Sequence, residues 1–202
     1  NTYKDQFGKL RNEPNFIFAG HGFNHCDAPI HMKHDGKTIQ ELSNEGLDIF
    51  INQANLVDLS EFDLPFRVTK DMIESRIDTN NKKELIILRS DLTNKVGYES
   101  KEWHLKAPSI ELDAAKWIAD NGFKSVCLDF PQDYIAREMP DRVVYNEEFE
   151  IHHTIFDSGC TFIEDLMDLG KISHSTTQIC AIPLKMDCFD GAPMRTIAID
   201  WH

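Results

Sequence analysis

Apolar residues in this chain fall in short blocks separated by polar stretches, and the blocks follow two periods. The stretch 84–89 contains the run Leu85-Ile86-Ile87-Leu88 and predicts a fully buried strand, as does 125–130. Between them, 109–121 has a helical pattern. Pro108 and Ser109 mark its start, Ala114, Ala115 and Trp117 favour it, and Gly122 stops it. A shorter helix is predicted at 71–77 with Thr69 as its cap, and another at 38–47. Towards the C-terminus a helix at 148–157 closes at Gly159, and strands are predicted at 160–166, 178–186 and 195–201. Strands alternating with helices predict an α/β or α+β fold. No repeat, low-complexity tract or linker interrupts the pattern, so residues 1–202 are expected to form a single domain.

Composition narrows the function classes. Hydrophobic residues make up 41% and charged residues 27% of the 202 positions, an ordinary globular balance. The formal net charge of -13 leaves no basic footprint, which argues against nucleic acid or an anionic membrane as the main partner. The apolar runs are far too short to span a bilayer. The opening Asn-Thr-Tyr-Lys-Asp lacks the basic and apolar regions of a signal peptide. The five cysteines (26, 127, 160, 180 and 188) are odd in number and form no CxxC pair, so reduced thiols in a cytoplasmic protein are expected.

The candidate chemistry is concentrated in His21-Gly-Phe-Asn-His25-Cys-Asp27-Ala-Pro-Ile-His31. Three of the nine histidines and a carboxylate share eleven residues, all at odd positions. In an extended chain equal parity means one face, so the four groups could converge on one pocket. A helix would align 21 with 25 but turn 27 about 200° from 25, and Pro29 would break it. Imidazole and carboxylate are the donors expected for zinc, manganese or iron. The competing reading is a solvated surface cluster of histidines. Cys26 has even parity and is expected to face away, and His34 is expected to lie outside the site. Farther along, His152 has Phe149 at i−3, Ile155 at i+3 and Phe156 at i+4, which places it on a buried helical stripe where it must find a partner. His153 lies only about 100° away on the same helix. In the strand that follows, Phe162 shares a face with Glu164, and Ile163 with Asp165, so at least one acid is expected to be buried.

Taken together these segments resemble the cyclase family of metal-dependent hydrolases, which includes bacterial kynurenine formamidases, isatin hydrolases and trans-dienelactone hydrolases. The family hallmark His-x-Gly-Thr-His-x-Asp-x-Pro-x-His is similar to residues 21–31. The likeness extends through Asp-Gly-Lys-Thr-Ile-Gln-Glu-Leu at 35–42 and the helix after Ala107-Pro-Ser. It continues with Leu128-Asp-Phe-Pro-Gln-Asp133, the twelve-residue spacing from His152 to Glu164, and Asp190-Gly-Ala-Pro-Met-Arg. The resemblance implies a mixed, barrel-like sheet with flanking helices of the swivelling β/β/α type, assembled as a homodimer or homotetramer. It implies that His21, His25 and Asp27 hold one ion, Zn2+ or Mn2+. Asp27, His152 and Glu164 would hold a second where two are bound. His31 would be the general acid/base, with Glu164 also at the reacting centre. The chain departs from the family at three places. Phe23-Asn24 replaces Gly-Thr, Arg89-Ser-Asp-Leu92 replaces Arg-Thr-Gly-Trp, and Asp165 replaces an Asn. Phe23 shares the odd parity, which predicts a narrower pocket. The family's first strand has no counterpart in the pattern before residue 17.

The expected activity is hydrolysis of an amide, cyclic amide or lactone bond of a small molecule by metal-activated water. The alternative is a metal-binding, non-catalytic member of the fold acting as an interaction module; His31 counts against it, because a structural site needs no unligated histidine. A cysteine hydrolase built on Cys26 is a distant third, since no activating partner is evident.

Overall fold

The uninterrupted aliphatic runs become the middle of a sheet. The computed structural model describes residues 2–4, 6–12, 17–98, 100, 102–187 and 189–201. Strands β1 (Thr2–Lys4) and β2 (Leu10–Asn12) pair as an antiparallel hairpin, a sheet of their own in a stretch with no predicted strand. They are followed by β3 (His25–Asp27), α1 (Ile39–Glu45), β4 (Ile51–Asp58), β5 (Arg67–Val68), α2 (Lys70–Glu74) and β6 (Leu85–Arg89). Next come α3 (Leu92–Val96), α4 (Glu102–Lys106), β7 (Ser109–Ile110), α5 (Leu112–Asp120) and β8 (Ser125–Leu128). The chain then forms α6 (Glu150–Asp157), β9 (Thr161–Glu164), β10 (Thr176–Cys180), β11 (Gly191–Pro193) and β12 (Ile197–Ile199).

Eight strands form the main sheet in the order β11-β3-β9-β8-β6-β4-β10-β12. The four central strands run parallel and the outer pairs antiparallel, so the sheet is mixed, and it curls into a half-barrel flanked by helices. The parallel strands are buried on both faces, which is why they read as continuous apolar runs. Ile86, Leu88, Val126, Leu128 and Phe162 point to one side and pack with Ala114, Ala115 and Ile118 of α5 and Ile151, Ile155 and Phe156 of α6. Leu85, Ile87, Cys127 and Ile163 point to the other side and meet Ala54 and Ile179. A fully buried aliphatic such as Ile118 contributes roughly 1.5–3 kcal/mol.

Local signals set most element ends. Thr38 accepts from Glu41 N while Glu41 accepts from Thr38 N, a capping box that starts α1. Thr69 caps α2 as expected. The helix predicted from 109 begins later, at Leu112, because Ser109 and Ile110 pair with Arg67 and Val68 instead. The strand predicted over 178–186 starts earlier and stops at Cys180; Pro183 makes only an isolated bridge to Met194. Strand β9 ends where Asp165 turns left-handed, with φ 55°. Strand β4 is not predicted, because Asn52, Gln53 and Asn55 break its apolar pattern. Asn55 is buried yet satisfied, with its side-chain oxygen accepting from Lys83 N at 2.8 Å. Among the described residues no helix is long and apolar enough to cross a membrane. Among the described residues Cys26, Cys127, Cys160 and Cys180 are free thiols; Cys188 lies outside the described residues.

Candidate metal centre

Register brings the first donors together. In the antiparallel β3–β9 pair, His25 lies opposite Glu164 and Asp27 opposite Phe162. Directly opposed side chains share a face, so His25, Asp27, Phe162 and Glu164 all point to the α6 side of the sheet. There His152, on the buried stripe of α6, packs its ring 5.1 Å from that of Phe162. Thr161 Oγ1 donates to the Asp27 carbonyl and tightens the pair.

The flanking histidines arrive by other means than a straight chain. Only 25–27 is extended, and the equal-parity argument therefore applies to His25 and Asp27 alone. His21 sits in the turn before β3 and folds back, donating from Nδ1 to Asp27 Oδ1 at 2.7 Å. His31 sits in a 3-10 turn, Pro29–His31, and its ring centroid lies 3.9 Å from that of His21. Gly36 lies against this turn, where a Cβ would come within 2.5 Å of Ile30 N and Pro29 C. Phe23 is left-handed, φ 58°, at the position where the family motif has Gly. Its ring turns outward, 72% exposed, and stacks on Tyr98 at 6.4 Å, so parity does not aim it into the site. Its carbonyl accepts from His25 Nδ1 at 2.6 Å, leaving Nε2 to face Asp27 Oδ1 at 3.1 Å and Glu164 Oε2 at 3.7 Å. Asn24 ties the turn down: it donates to the Glu164 carbonyl at 2.7 Å and accepts from Thr196 N at 2.9 Å.

All six sequence-predicted site residues, His21, His25, Asp27, His31, His152 and Glu164, thus meet around the Asp27 carboxylate. His21 and His25 address its Oδ1, and His152 Nε2 stands 3.5 Å from its Oδ2. His153 turns away to the Asn146 carbonyl, and His34 is exposed. Sequence reasoning missed three neighbours. Asp190 Oδ2 accepts from His31 Nδ1 at 3.0 Å and lies 3.1 Å from His21 Nε2. Asp133 accepts from His152 Nδ1 at 2.7 Å. Gln132, 1% exposed, donates to Glu164 Oε1 at 2.6 Å and stands 2.8 Å from His152 Nε2. Asp190 and Asp133 each lie within a segment that resembles a family motif, a signal that could have singled them out.

The electrostatics follow from burial and crowding. Burial opposes a charge on His25, but the Asp27 hydrogen bond and the Glu164 and Asp27 charges outweigh it and raise its pKa to about 9. His21 is raised as well: burial lowers it, and Asp27 and Asp190 more than compensate. His31 is lowered, chiefly by burial and also by the His21 and His152 charges, so it is the histidine most readily neutral. Burial would raise Asp27, but bonds from His152, His21 and His25 hold it well below the usual carboxylate range. Glu164 is pushed up to about 7 by burial and the Asp27 charge. Burial opposes a charged His152 while Asp133 and Asp27 favour one. With Asp133 on Nδ1 and Asp27 Oδ2 3.5 Å from Nε2, the carboxylates outweigh burial and raise its pKa to about 10.

These donors fit a divalent cation. His25, Asp27 and Glu164 offer atoms within 4.8 Å of one another, as do His21, Asp27 and His31. His21 Nε2 is buried and, although Asp190 Oδ2 lies 3.1 Å away, makes no well-aligned hydrogen bond, which leaves it available to a further ligand. His21 and His25 are raised because Asp27, Asp190 and Glu164 make this place favourable to positive charge. Cys26 points to the opposite side, into a cluster with Ala28 and Ile39, and burial holds its thiol far from ionising.

Fold and site define an α/β protein with a candidate His/carboxylate cation centre at one end of a mixed sheet. The chain belongs to the cyclase family, whose model, described as putative cyclase, matches residues 2–132. It is 24% identical over 194 residues to a kynurenine formamidase of Bacillus cereus, covering 96% of this chain and 82% of that protein. With the kynurenine formamidase of Geobacillus thermodenitrificans it shares 25% over 200 residues, covering 96% and 85%. Among solved structures, an isatin hydrolase bound to the product analogue thioisatinate superposes with a TM-score of 0.73 at 19% identity, covering 90% of this chain and 72% of that one. A predicted metal-dependent hydrolase from Bacillus stearothermophilus superposes at 0.69 with 23% identity, covering 98% and 84%. At these identities the structural likeness bears on the fold.

Proposed function

We propose that this protein is a metal-dependent hydrolase that cleaves an amide, cyclic amide or lactone bond of a small molecule. The observation that carries the reading is that two sets of donors (His21, Asp27 and His31; His25, Asp27 and Glu164) close on the shared Asp27 carboxylate, with His31 tied to Asp190. His21, His25 and Asp27 hold the ion, zinc or manganese, both of which suit imidazole and carboxylate donors. A bound cation would supply Lewis acidity, lowering the pKa of water towards neutrality and polarising an acyl oxygen.

The chain's own residues do the rest. His31, whose pKa is lowered by burial and by neighbouring imidazoles, is able to accept a proton from the attacking water and deliver it to the leaving nitrogen or oxygen. Asp190 fixes the His31 ring through Nδ1, which leaves Nε2 for this exchange. Glu164 lies at the same centre, its carboxyl poised near neutrality. The relatives named kynurenine formamidase and isatin hydrolase point to N-formyl aryl amines and isatin as the first compounds to assay, followed by lactones.

The test is turnover of those three classes by purified protein, with and without a chelator, alongside a His31→Ala variant. We expect chelator-sensitive hydrolysis of at least one class, and a His31→Ala protein that keeps its metal but loses at least a hundredfold in rate. Metal shown to be bound with no turnover of any class would overturn the reading in favour of a binding module.

A further inference from the structure

The side chains at the centre outline two places for a cation, and a glutamine stands in one of them. The first lies at Asp27 Oδ1, which His21 Nδ1 approaches to 2.7 Å and His25 Nε2 to 3.1 Å. The second is bounded by His152 Nε2, which is 3.5 Å from Asp27 Oδ2 and 3.7 Å from Glu164 Oε1. A tetrahedral ion about 2.0–2.2 Å from each of its donors spaces them roughly 3.4 Å apart, so His152 Nε2 stands near an ion's spacing from each of the two carboxylates. Yet the Gln132 amide nitrogen donates to the same Glu164 Oε1 at 2.6 Å and approaches the same His152 Nε2 at 2.8 Å.

We propose that Gln132 fills the second cation position, so that this protein works with one divalent ion per chain. The proposal rests on the metal-centre reading above. The amide nitrogen stands close to the His152 ring, 3.3 Å from Nδ1 as well as 2.8 Å from Nε2, and holds a lone pair of Glu164 Oε1, so a cation between His152 and Glu164 would meet an occupied acceptor and an N–H in its place. Gln132 is in no position to swing clear: it is 1% exposed, and the backbone on either side is engaged. Its carbonyl accepts from Ile110 N at 2.8 Å, and the next residue, Asp133, is bonded to His152 and to Ile151 N. The amide does part of what the ion would do. It satisfies a buried carboxylate without bringing a second positive charge. Asp27 Oδ2 and His152 are then left as support for the first ion, in which Asp27 Oδ1 takes part.

The experiment is a stoichiometry, read without reference to turnover. Metal-free protein is titrated with zinc and with manganese by calorimetry, and bound metal is counted by elemental analysis after gel filtration. Wild type is expected to hold one ion per chain. Gln132→Ser, which opens the space, and Gln132→Glu, which keeps its volume but exchanges the donor for an acceptor, are each expected to hold two. Thermal melts identify whichever variant is folded, and either one suffices. Two ions in wild type, or one ion in a folded variant, would overturn the role given to Gln132 and leave the metal centre standing. A wild type that binds no ion would overturn both.

Discussion

Gly191 lies opposite Asp27 in the β11–β3 pair, directly against the His21 ring. A Cβ there would come within 2.6 Å of His21 Cε1 and 2.7 Å of Nε2. That ring is held between Asp27 and Asp190 and cannot give way without losing one of them. Gly191→Ala is therefore expected to displace a donor and weaken metal binding by roughly 10–100-fold, the usual cost of disturbing a ligand's support. Calorimetric titration checks this, and an unchanged affinity would show that His21 is not held where it is needed. Gly36→Ala strikes backbone instead of a ring, since Ile30 N and Pro29 C are both at 2.5 Å. It should cost about 1–3 kcal/mol of stability, read as a lower denaturation midpoint, because the turn carrying His31 must shift.

At the level of elements, α6 is fastened to the end of the β8 segment through one carboxylate. Asp133 accepts from Ile151 N at 2.9 Å and from His152 N at 3.3 Å, and receives the His152 Nδ1 proton. Asp133→Ala should destabilise the protein by about 3 kcal/mol, since it strands a buried imidazole and two N–H groups of the first helical turn. Urea unfolding measures this, and a loss under 1 kcal/mol would show that the helix is anchored elsewhere. Elements held by pattern were legible in the sequence. The strands at Leu85–Arg89 and Ser125–Leu128 and the stripe of Glu150–Asp157 announce themselves because burial on both faces, or on one, leaves a period. Ile51–Asp58 does not, because its polar positions find partners only after folding. The same division holds at the site. The donors at 21–31 were visible as a cluster of one chemical kind, although the turn and the 3-10 helix that aim them were not. Gln132 and Asp190 lie in family-like segments, but their bonds to the donors appear only where their loops land.

Across the whole molecule, the centre couples stability to pH. His25 is raised from 6.5 to about 9, so its contribution is fully present below pH 6.5 and is lost as pH rises through about 9. Glu164, raised from 4.5 to about 7, behaves likewise over its own interval. Asp27 is depressed, so its contribution is lost only as acid protonates it, below the ordinary carboxylate range. Metal-free protein should therefore be most stable in mild acid and melt progressively lower towards pH 9. Metal-loaded protein should show the opposite trend, because the ion displaces those protons and binds more tightly as they leave. Paired melting curves with and without chelator read both trends, and a flat metal-free profile would contradict the charge balance described here. The sheet's order carries one more consequence, for the chain as it is made. Asp27 waits for Thr161, 134 residues downstream, and His31 for Asp190, 159 residues downstream. At about 5–20 residues per second the ribosome leaves that strand without its neighbours for on the order of ten seconds. A nascent chain stalled at residue 150 should retain no added divalent cation, whereas the released chain should, and equal retention by both would show that the early donors suffice alone.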